Sequence, residues 1–546
     1  VSVLVLLLAA CPSDPEVDSS NPTSPTDSAE TDTATDSGTV PTGPDVCGSL
    51  GLPELAFQEA DASADTYALA GDFTLPTTAG DWTLSVEWTG CDTYLFVPSE
   101  PRQNQGAPEA TWALKRDNRS LVEALPANTH LFFVSSNRGS SADEEIAAIV
   151  EDYDEILADM EEADREWWTD RIHFVTAGVA GLDSWLGEAL TSPGVGVGID
   201  RTQRIREIGS MADPTRYNSS YGWFEPNIAF VAQEAVYYNA EALRDEHVAN
   251  DGATVVHAWQ GELLEDPGWA FARGFVDIEL PDAATMATFD TLEFDHALMC
   301  VGVDEYGACP AWDYLTYAWL CDAEDPEVCD VEIGRWITTY WREGRWVHDV
   351  SGLLPLFKDG GTRRLAYWTI QPYEVWLDLR FSNQGKAARP AEVSYLWDGG
   401  TFDANWNANH PAIEIEVPAD AVKVEIATVM SGHGMNSPNN CAEFCPTDHH
   451  FFVNGVEYVR DIPIENEETG CVDQVPAGTV PNQYGTWFYG RNGWCPGKHV
   501  DMVNLDVTDA IVPGAVNHLV YEAYQNGVPY AGSATLDVET WLVVSK

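Results

Sequence analysis

The 546 residues carry 88 Asp and Glu against 27 Lys and Arg, a formal net charge of -61. That balance excludes nucleic acid and anionic membrane surfaces as partners held by bulk charge. With 45% apolar residues, 21 Trp, 20 Tyr and 19 Phe, the chain can fill the cores of two to four domains, most of its Trp serving as core and an exposed few as platforms for sugar rings.

The first eleven residues, VSVLVLLLAAC, are an apolar run ending in Leu-Ala-Ala-Cys. They resemble the end of a bacterial lipoprotein signal, with Cys11 as the lipidated residue. The run is too short to span a bilayer, so a membrane is expected as a partner only through a lipid on Cys11. Residues 12–46 are almost wholly Ser, Thr, Pro, Asp and Glu. That composition packs no core and predicts a disordered tether. Anchor and tether together place the chain at the bacterial cell envelope, lipid-anchored or secreted, outside the cytoplasm.

Eleven cysteines are present. Setting Cys11 aside leaves an even number, and spacing predicts local pairs: Cys300 with Cys309, Cys321 with Cys329, Cys441 with Cys445, Cys471 with Cys495. Cys47 and Cys91 remain to pair with each other. Thiolate metal ligation needs CxxC-type knuckles, and the chain has none.

Residues 48–250 alternate strands and helices. Trp82–Trp88 alternates like a strand, and His130–Ser135 is a short apolar run of the buried-strand kind. A helix follows, opened by the capping-box pattern Ser141-x-x-Glu144. Arg171–Val175 reads as a strand, Leu182–Leu190 as a helix, Val195–Ile199 and Arg204–Ile208 as a hairpin, and Pro226–His247 as a helix. This order predicts an α/β sandwich. The Pro before a strand, the hairpin GIDRTQRIREIG and the final helix resemble a thioredoxin-like domain. Where that family carries Cys-x-x-Cys, this chain reads Gly90-Cys91-Asp92-Thr93-Tyr94. Without a resolving thiol no dithiol exchange is expected, and Cys91 is either a structural half-cystine or a lone thiol.

From about residue 268 the pattern changes to period two, as in Phe275–Leu280, Ala412–Val417 and Val422–Ala427, punctuated by Gly, Pro, Asn and Asp. This predicts an antiparallel all-β architecture, sandwich or jelly roll, long enough for two units, 268–388 and 389–546, joined near Gln384–Pro390. Three loops put polar groups beside probable disulfides: Cys309-Pro-Ala-Trp312-Asp313, the stretch SGHGMNSPNNCAEFCPTDHHFFVNG with His433 and Glu443, and Tyr489-Gly-Arg491-Asn-Gly-Trp494-Cys-Pro-Gly497. Loops of this kind are where sites are built. The acidic loop Asp322–Asp330 lacks EF-hand spacing and reads as solvated acid rather than a calcium site.

The order Trp-Asp, EIGRWITTYW (332–341), SGHG…NCAEFC…NG and GRNGWCPG resembles the peptide-N-glycosidase F family, from about Arg273 to the C-terminus. The resemblance implies a double jelly roll that hydrolyses the amide linking an N-glycan to asparagine, with N-glycosylated peptides or glycans as partners and no cofactor. It places the water-activating aspartate on Asp313, a carboxylate for the first sugar or a bridging water on Glu443, and the group holding the asparagine end on Arg491. Trp312, His433 and Trp494 would line the cleft. Two departures are visible: Tyr314 stands where the family has an arginine, and the strand Leu365–Gln371 is neutral, with Thr369 nearest the family's third acid. A non-catalytic glycan- or protein-binding lipoprotein is the alternative, and a copper monooxygenase on the same fold a minor one. His449 and His450 are adjacent in a strand-like run and point to opposite faces, so no metal site is expected.

Overall fold

The computed structural model describes residues 46–99, 117–191, 196–220, 222–265, 272–302, 304–434 and 443–546, all within one compact unit, Val40–Lys546. Cys11 and residues 12–45, expected as a lipid anchor and a tether, lie outside them.

The N-terminal region is built on a seven-stranded sheet. Three parallel strands, Ile172–Val175, Thr129–Val134 and Thr93–Pro98, form its centre. The hairpin Thr74–Thr77/Gly80–Thr83 extends one edge, and the antiparallel pair Gly196–Ile199 and Ile205–Ile208 the other. The central strands are apolar without alternation because both their faces are covered. Leu95, Val97, Leu131 and Phe133 share one core with Ile146, Tyr153 and Ala235 from the helices Ser140–Ala158 and Ala232–Asn250. Tyr94, Phe96, Phe132 and Val134 share another with Phe73, Trp82 and Trp185.

Local chemistry explains where these elements depart from the sequence pattern. Trp82–Trp88 is not one strand: the strand ends at Thr83 and a helical turn, Leu84–Glu87, follows. Asp72 draws the chain round there, accepting from the Ser85 amide at 2.9 Å and the Ser85 hydroxyl at 2.6 Å. The helix expected to open on a Ser141/Glu144 capping box has Gly139 at its N-cap and no side-chain cap. Glu145 instead reaches back to Ser99, Ser135 and Asn137. The Leu182–Leu190 helix is confined to Trp185–Ala189. The last helix begins as a 3₁₀ turn, Ile228–Val231, which Asn227 caps by accepting from Ala229 N at 3.0 Å.

Two β-sandwiches follow. In the first, Thr254–Leu264, Tyr373–Ser382, Thr291–Met299 and Gly344–Asp349 form one sheet. Ala272–Asp282, Gly360–Thr369, Leu315–Cys321 and Cys329–Ile337 form the other, with the short strand Lys498–His499 added at its edge. The β region therefore starts at Thr254, before residue 268. Bulges between His257 and Trp259 and between Gln260 and Glu262 break the period-two signal of its first strand. The second sandwich pairs Pro390–Phe402, Ala534–Ser545, Lys423–His433 and Met502–Asp506 against Ile413–Val417, Ala515–Tyr524, Asp448–Val453 and Val456–Arg460. It has its own core around Trp397, Trp406 and Tyr521.

Disulfides join Cys47 to Cys91, Cys300 to Cys309, Cys321 to Cys329 and Cys471 to Cys495. Cys91 is thus a half-cystine. Cys441 lies outside the described residues, and Cys445 is disulfide-bonded.

The α/β region and the first sandwich share one core, running from Leu95 through Ile208 to Trp336 and Trp346. A buried ionic cluster crosses the same boundary. The Arg342 guanidinium, fully enclosed, meets Glu234 of the α/β region at 3.0 Å and Glu305 at 3.0 Å. Arg206 meets Glu305, Glu241 and Asp200. Glu234 also accepts from Asn482 at 2.9 Å and Gly209 N at 3.0 Å. Replacing one member of such a cluster strands the other charge without solvent. Glu234→Ala is expected to lower stability by about 3–5 kcal/mol, read from the urea midpoint of the full chain; an unchanged midpoint would contradict the bridging role.

Candidate active site

Asp313 sits two residues before the strand Leu315–Cys321. Its loop is fixed from the neighbouring strand's end. The Thr338 hydroxyl donates to Trp312 O at 2.6 Å and accepts from Tyr314 N at 2.8 Å, and Thr338 N donates to Tyr314 O at 2.9 Å. The Cys300–Cys309 bridge closes the segment just upstream.

Arg491 comes from a loop closed by Cys471–Cys495. Close backbone approach puts it there. A Cβ on Gly490 would lie 1.6 Å from Ile464 O, and one on Gly493, whose φ is +88°, would lie 2.3 Å from Met430 O. The loop presents Asn492 N to the backbone carbonyl of Glu443 at 2.8 Å, which ties the second and third sequence motifs together.

These elements converge on one guanidinium. Arg491 Nη2 lies 3.3 Å from Asp313 Oδ2, and Nε lies 3.4 Å from Glu443 Oε1. The other contacts are Nη1 to Thr486 O (2.8 Å) and Tyr489 O (2.6 Å), and Nη2 to the Thr486 hydroxyl (3.1 Å). A guanidinium has five N–H donors, so every one is engaged, and the side chain has no exposed surface. The two carboxylate contacts are the longest of the five and the first a ligand would exchange. Arg491 can therefore hold an asparagine end only by giving up one of these bonds.

The carboxylates keep 13% and 18% of their side-chain surface, enough for a ligand to reach. Burial lifts the Asp313 carboxyl above its ordinary value, against the Arg491 charge and a hydrogen bond from the Tyr340 hydroxyl. Burial also lifts Glu443 to about 7, with Arg491 opposing and the Asp313 charge adding to the rise. Gly434 N–H donates to Glu443 as well. Tyr340 is held far above the usual phenol range by burial and by Asp313, so it stays a donor.

The aromatic residues take different places. Trp312 is 54% exposed and meets Tyr340 edge-on at 6.4 Å. Trp494 is buried, donates to Gly432 O at 2.7 Å, and carries Arg491 on its face at 5.1 Å. It is a floor under the guanidinium rather than a wall. His433 stacks on Trp494 at 5.1 Å and bonds the Ser431 hydroxyl at 2.7 Å, and burial lowers it to about 4.

His449 and His450 do not join this group. His449 is committed to Thr447 and Tyr521, and His450 to Glu457 on the opposite face. Among the described residues the group spaced to hold a metal is His247, Asp251 and Glu293, and Asp251 is already engaged by Arg380. Thr369 is buried and donates to Gln371 O at 2.9 Å, with no charge. Tyr340 and Thr486 are the site residues that the sequence did not single out. Tyr340 lies inside the EIGRWITTYW segment, whose polar aromatic was the available signal.

Residues 402–544 match the family model described as Peptide-N-glycosidase F, C terminal. The chain is 26% identical over 239 residues to peptide-N(4)-(N-acetyl-beta-D-glucosaminyl)asparagine amidase F of Elizabethkingia miricola, a match covering 37% of this chain and 60% of that relative. The chain thus spans about 60% of the length of the curated relative it matches. Among solved structures, recombinant N-glycanase F aligns with 19% identity and a TM-score of 0.44, over 54% of this chain and 96% of that one. PNGF-II aligns with 12% identity and a TM-score of 0.40, over 55% and 66%.

Because the fold raises Glu443 from 4.5 to about 7, its bound proton favours the folded state. That contribution is complete below pH 4.5 and is lost as pH rises through 7. The thermal midpoint of the wild type relative to Glu443→Gln should fall between pH 5 and 8; a constant difference would show that Glu443 does not titrate there. Residues 402–544, in the second sandwich, are similar to the C-terminal part of peptide-N-glycosidase F.

Proposed function

We propose that the chain is an amidase that releases N-linked glycans from glycopeptides by hydrolysing the glycosyl-asparagine amide. The observation that carries this reading is the buried Arg491 joining Asp313 and Glu443, two carboxylates 130 residues apart in sequence.

Two neighbouring acids on one cation separate their titrations. In this scheme Asp313, whose charged form Arg491 and the Tyr340 hydroxyl favour against burial, takes a proton from water as the water oxygen attacks the amide carbon. Glu443, near 7, retains a proton in part and donates a hydrogen bond toward the first sugar or a bridging water. The carbon–nitrogen bond then breaks as the proton taken from water passes from Asp313 to the amide nitrogen, which leaves as a glycosylamine, and the peptide keeps aspartate. Arg491 limits the repulsion of the two carboxylates, and Tyr340 orients Asp313.

We read the α/β region as a thioredoxin-like domain without redox activity, supported by its parallel centre, antiparallel edge hairpin and locked Cys91. The disulfides support a place outside the cytoplasm, and a lipid on Cys11 remains part of this proposal. Among the described residues no helix is long and apolar enough to cross a membrane. A second reading, a glycan-binding protein without turnover, is favoured by the neutral Thr369.

Asp313→Asn is expected to lower glycan release from a denatured glycopeptide by about 10²–10⁴-fold while chitobiose binding persists. Wild-type kcat/KM should fall as pH rises past about 7, and Glu443→Gln, which still donates a hydrogen bond, should remove that limb. A wild type that binds chitobiose and releases nothing establishes the second reading.

A further inference from the structure

A hairpin of the α/β region lies against the candidate site. Its strands, Ala212–Asn218 and Trp223–Pro226, pair with Tyr217 opposite Phe224 and Asn218 opposite Trp223. Its root is fixed by Asn227, whose amide donates to Asp117 and Asp213 at 2.8 Å each. The aromatic residues of its second strand lie against the segment Tyr484–Tyr489. Trp223 stacks on Tyr484 with ring centroids 5.1 Å apart and planes at 14°. Phe224 meets Phe488 edge-on at 5.0 Å and Tyr489 at 6.1 Å. The Tyr489 hydroxyl donates to Pro214 O at 3.3 Å.

The segment so gripped is the one that seats Arg491. Thr486 O, the Thr486 hydroxyl and Tyr489 O take three of the five guanidinium N–H donors. Tyr484 N also donates to Tyr340 O at 3.4 Å, and the Tyr340 hydroxyl bonds Asp313. Aromatic contacts from the hairpin thus stand one residue away from both ends of the carboxylate–guanidinium–phenol network.

We propose that Trp223 and Phe224 are positioning residues for the amidase site, so that the α/β region is a working part of the active centre rather than a separate module. They act through Tyr484 and Tyr489 on Arg491 and Tyr340. The rate readout rests on the amidase reading; the structural readout does not.

The groups facing Asp313 are Arg491, Tyr340 and Glu443. Those facing Glu443 are Arg491, Asp313 and the Gly434 amide. Arg491 is the one cation among them and opposes the rise of both carboxyls, so loosening its seat lets both rise further, and both limbs of the pH–rate profile move to higher pH. A variant that merely lowered the amount of folded enzyme would leave the limbs in place.

The test uses the full chain. Trp223→Ala is expected to lower kcat roughly 10- to 100-fold, the scale for a small misplacement of a catalytic group, with both limbs shifted upward. Trp223→Tyr, which keeps a ring to stack, should restore the wild-type profile. Tyr489→Phe keeps the ring, removes the hydroxyl that bonds Pro214 O and should give a smaller shift in the same direction; it decides the question if Trp223→Ala does not fold. Crystal structures of the variants should show Arg491 displaced from Asp313 and Glu443. An unchanged profile with Arg491 in its wild-type place overturns the proposal while leaving the amidase reading intact. If the wild type releases no glycan, the amidase reading falls, and the position of Arg491 in the variant crystals alone decides whether the hairpin seats it.

Discussion

A guanidinium with no solvent must have every N–H taken and its charge answered. Arg491 meets both conditions with two backbone carbonyls, one hydroxyl and two carboxylates from distant parts of the chain. Satisfying it requires the first sandwich to deliver Asp313, the second to deliver Glu443, and the disulfide-closed 471–495 loop to deliver Thr486 and Tyr489. The site is therefore a product of how the two sandwiches dock, not of either alone. The added strand Lys498–His499, which leaves the second half of the chain to pair with Trp336 and Ile337 of the first, fixes that docking a few residues beyond Arg491.

Charge compensation of this kind operates a second time at the other boundary, where Arg342 Nε itself has no hydrogen-bond partner among the described residues. Arg342 is as deeply enclosed as Arg491, and its answer comes from Glu234 of the α/β region and Glu305 of the first sandwich. Arg342 stands two residues from Tyr340, whose amide donates to the Gln483 side chain at 2.8 Å. Asn482, next to Gln483, is itself held by Glu234. One buried cation aligns the carboxylates and the other aligns the phenol beside them. In a chain with 88 acidic and 27 basic residues, the enclosed arginines are a scarce resource placed where three parts of the molecule meet.

Much of this was legible in the sequence. Period-two segments and turn residues marked the sandwiches, and apolar runs such as His130–Ser135 marked strands covered on both faces. Cys300–Cys309, Cys321–Cys329 and Cys471–Cys495 followed from spacing, and Cys47 and Cys91 were the two left over. Asp313, Glu443 and Arg491 stood out because each lay in a Gly- or Cys-rich loop. What escaped had a physical cause. Bulges in Thr254–Leu264 blurred its alternation. The turn at Leu84–Glu87 depends on Asp72, which no local window on Trp82–Trp88 contains. Trp494 looked like a cleft wall because composition does not show which face of an indole a guanidinium covers. Tyr340 and the hairpin aromatics act through partners 143 to 275 residues away, a relation that neither spacing nor periodicity carries.

The central claim is that this network activates water against the glycosyl-asparagine amide. The most direct measurement is mass spectrometry of a denatured N-glycopeptide incubated with the full chain in ¹⁸O-labelled water. The account predicts free glycan, with the former glycosylated asparagine recovered as aspartate bearing one ¹⁸O. Recovery of the glycosylated asparagine unchanged, with the glycopeptide bound but intact, would contradict it.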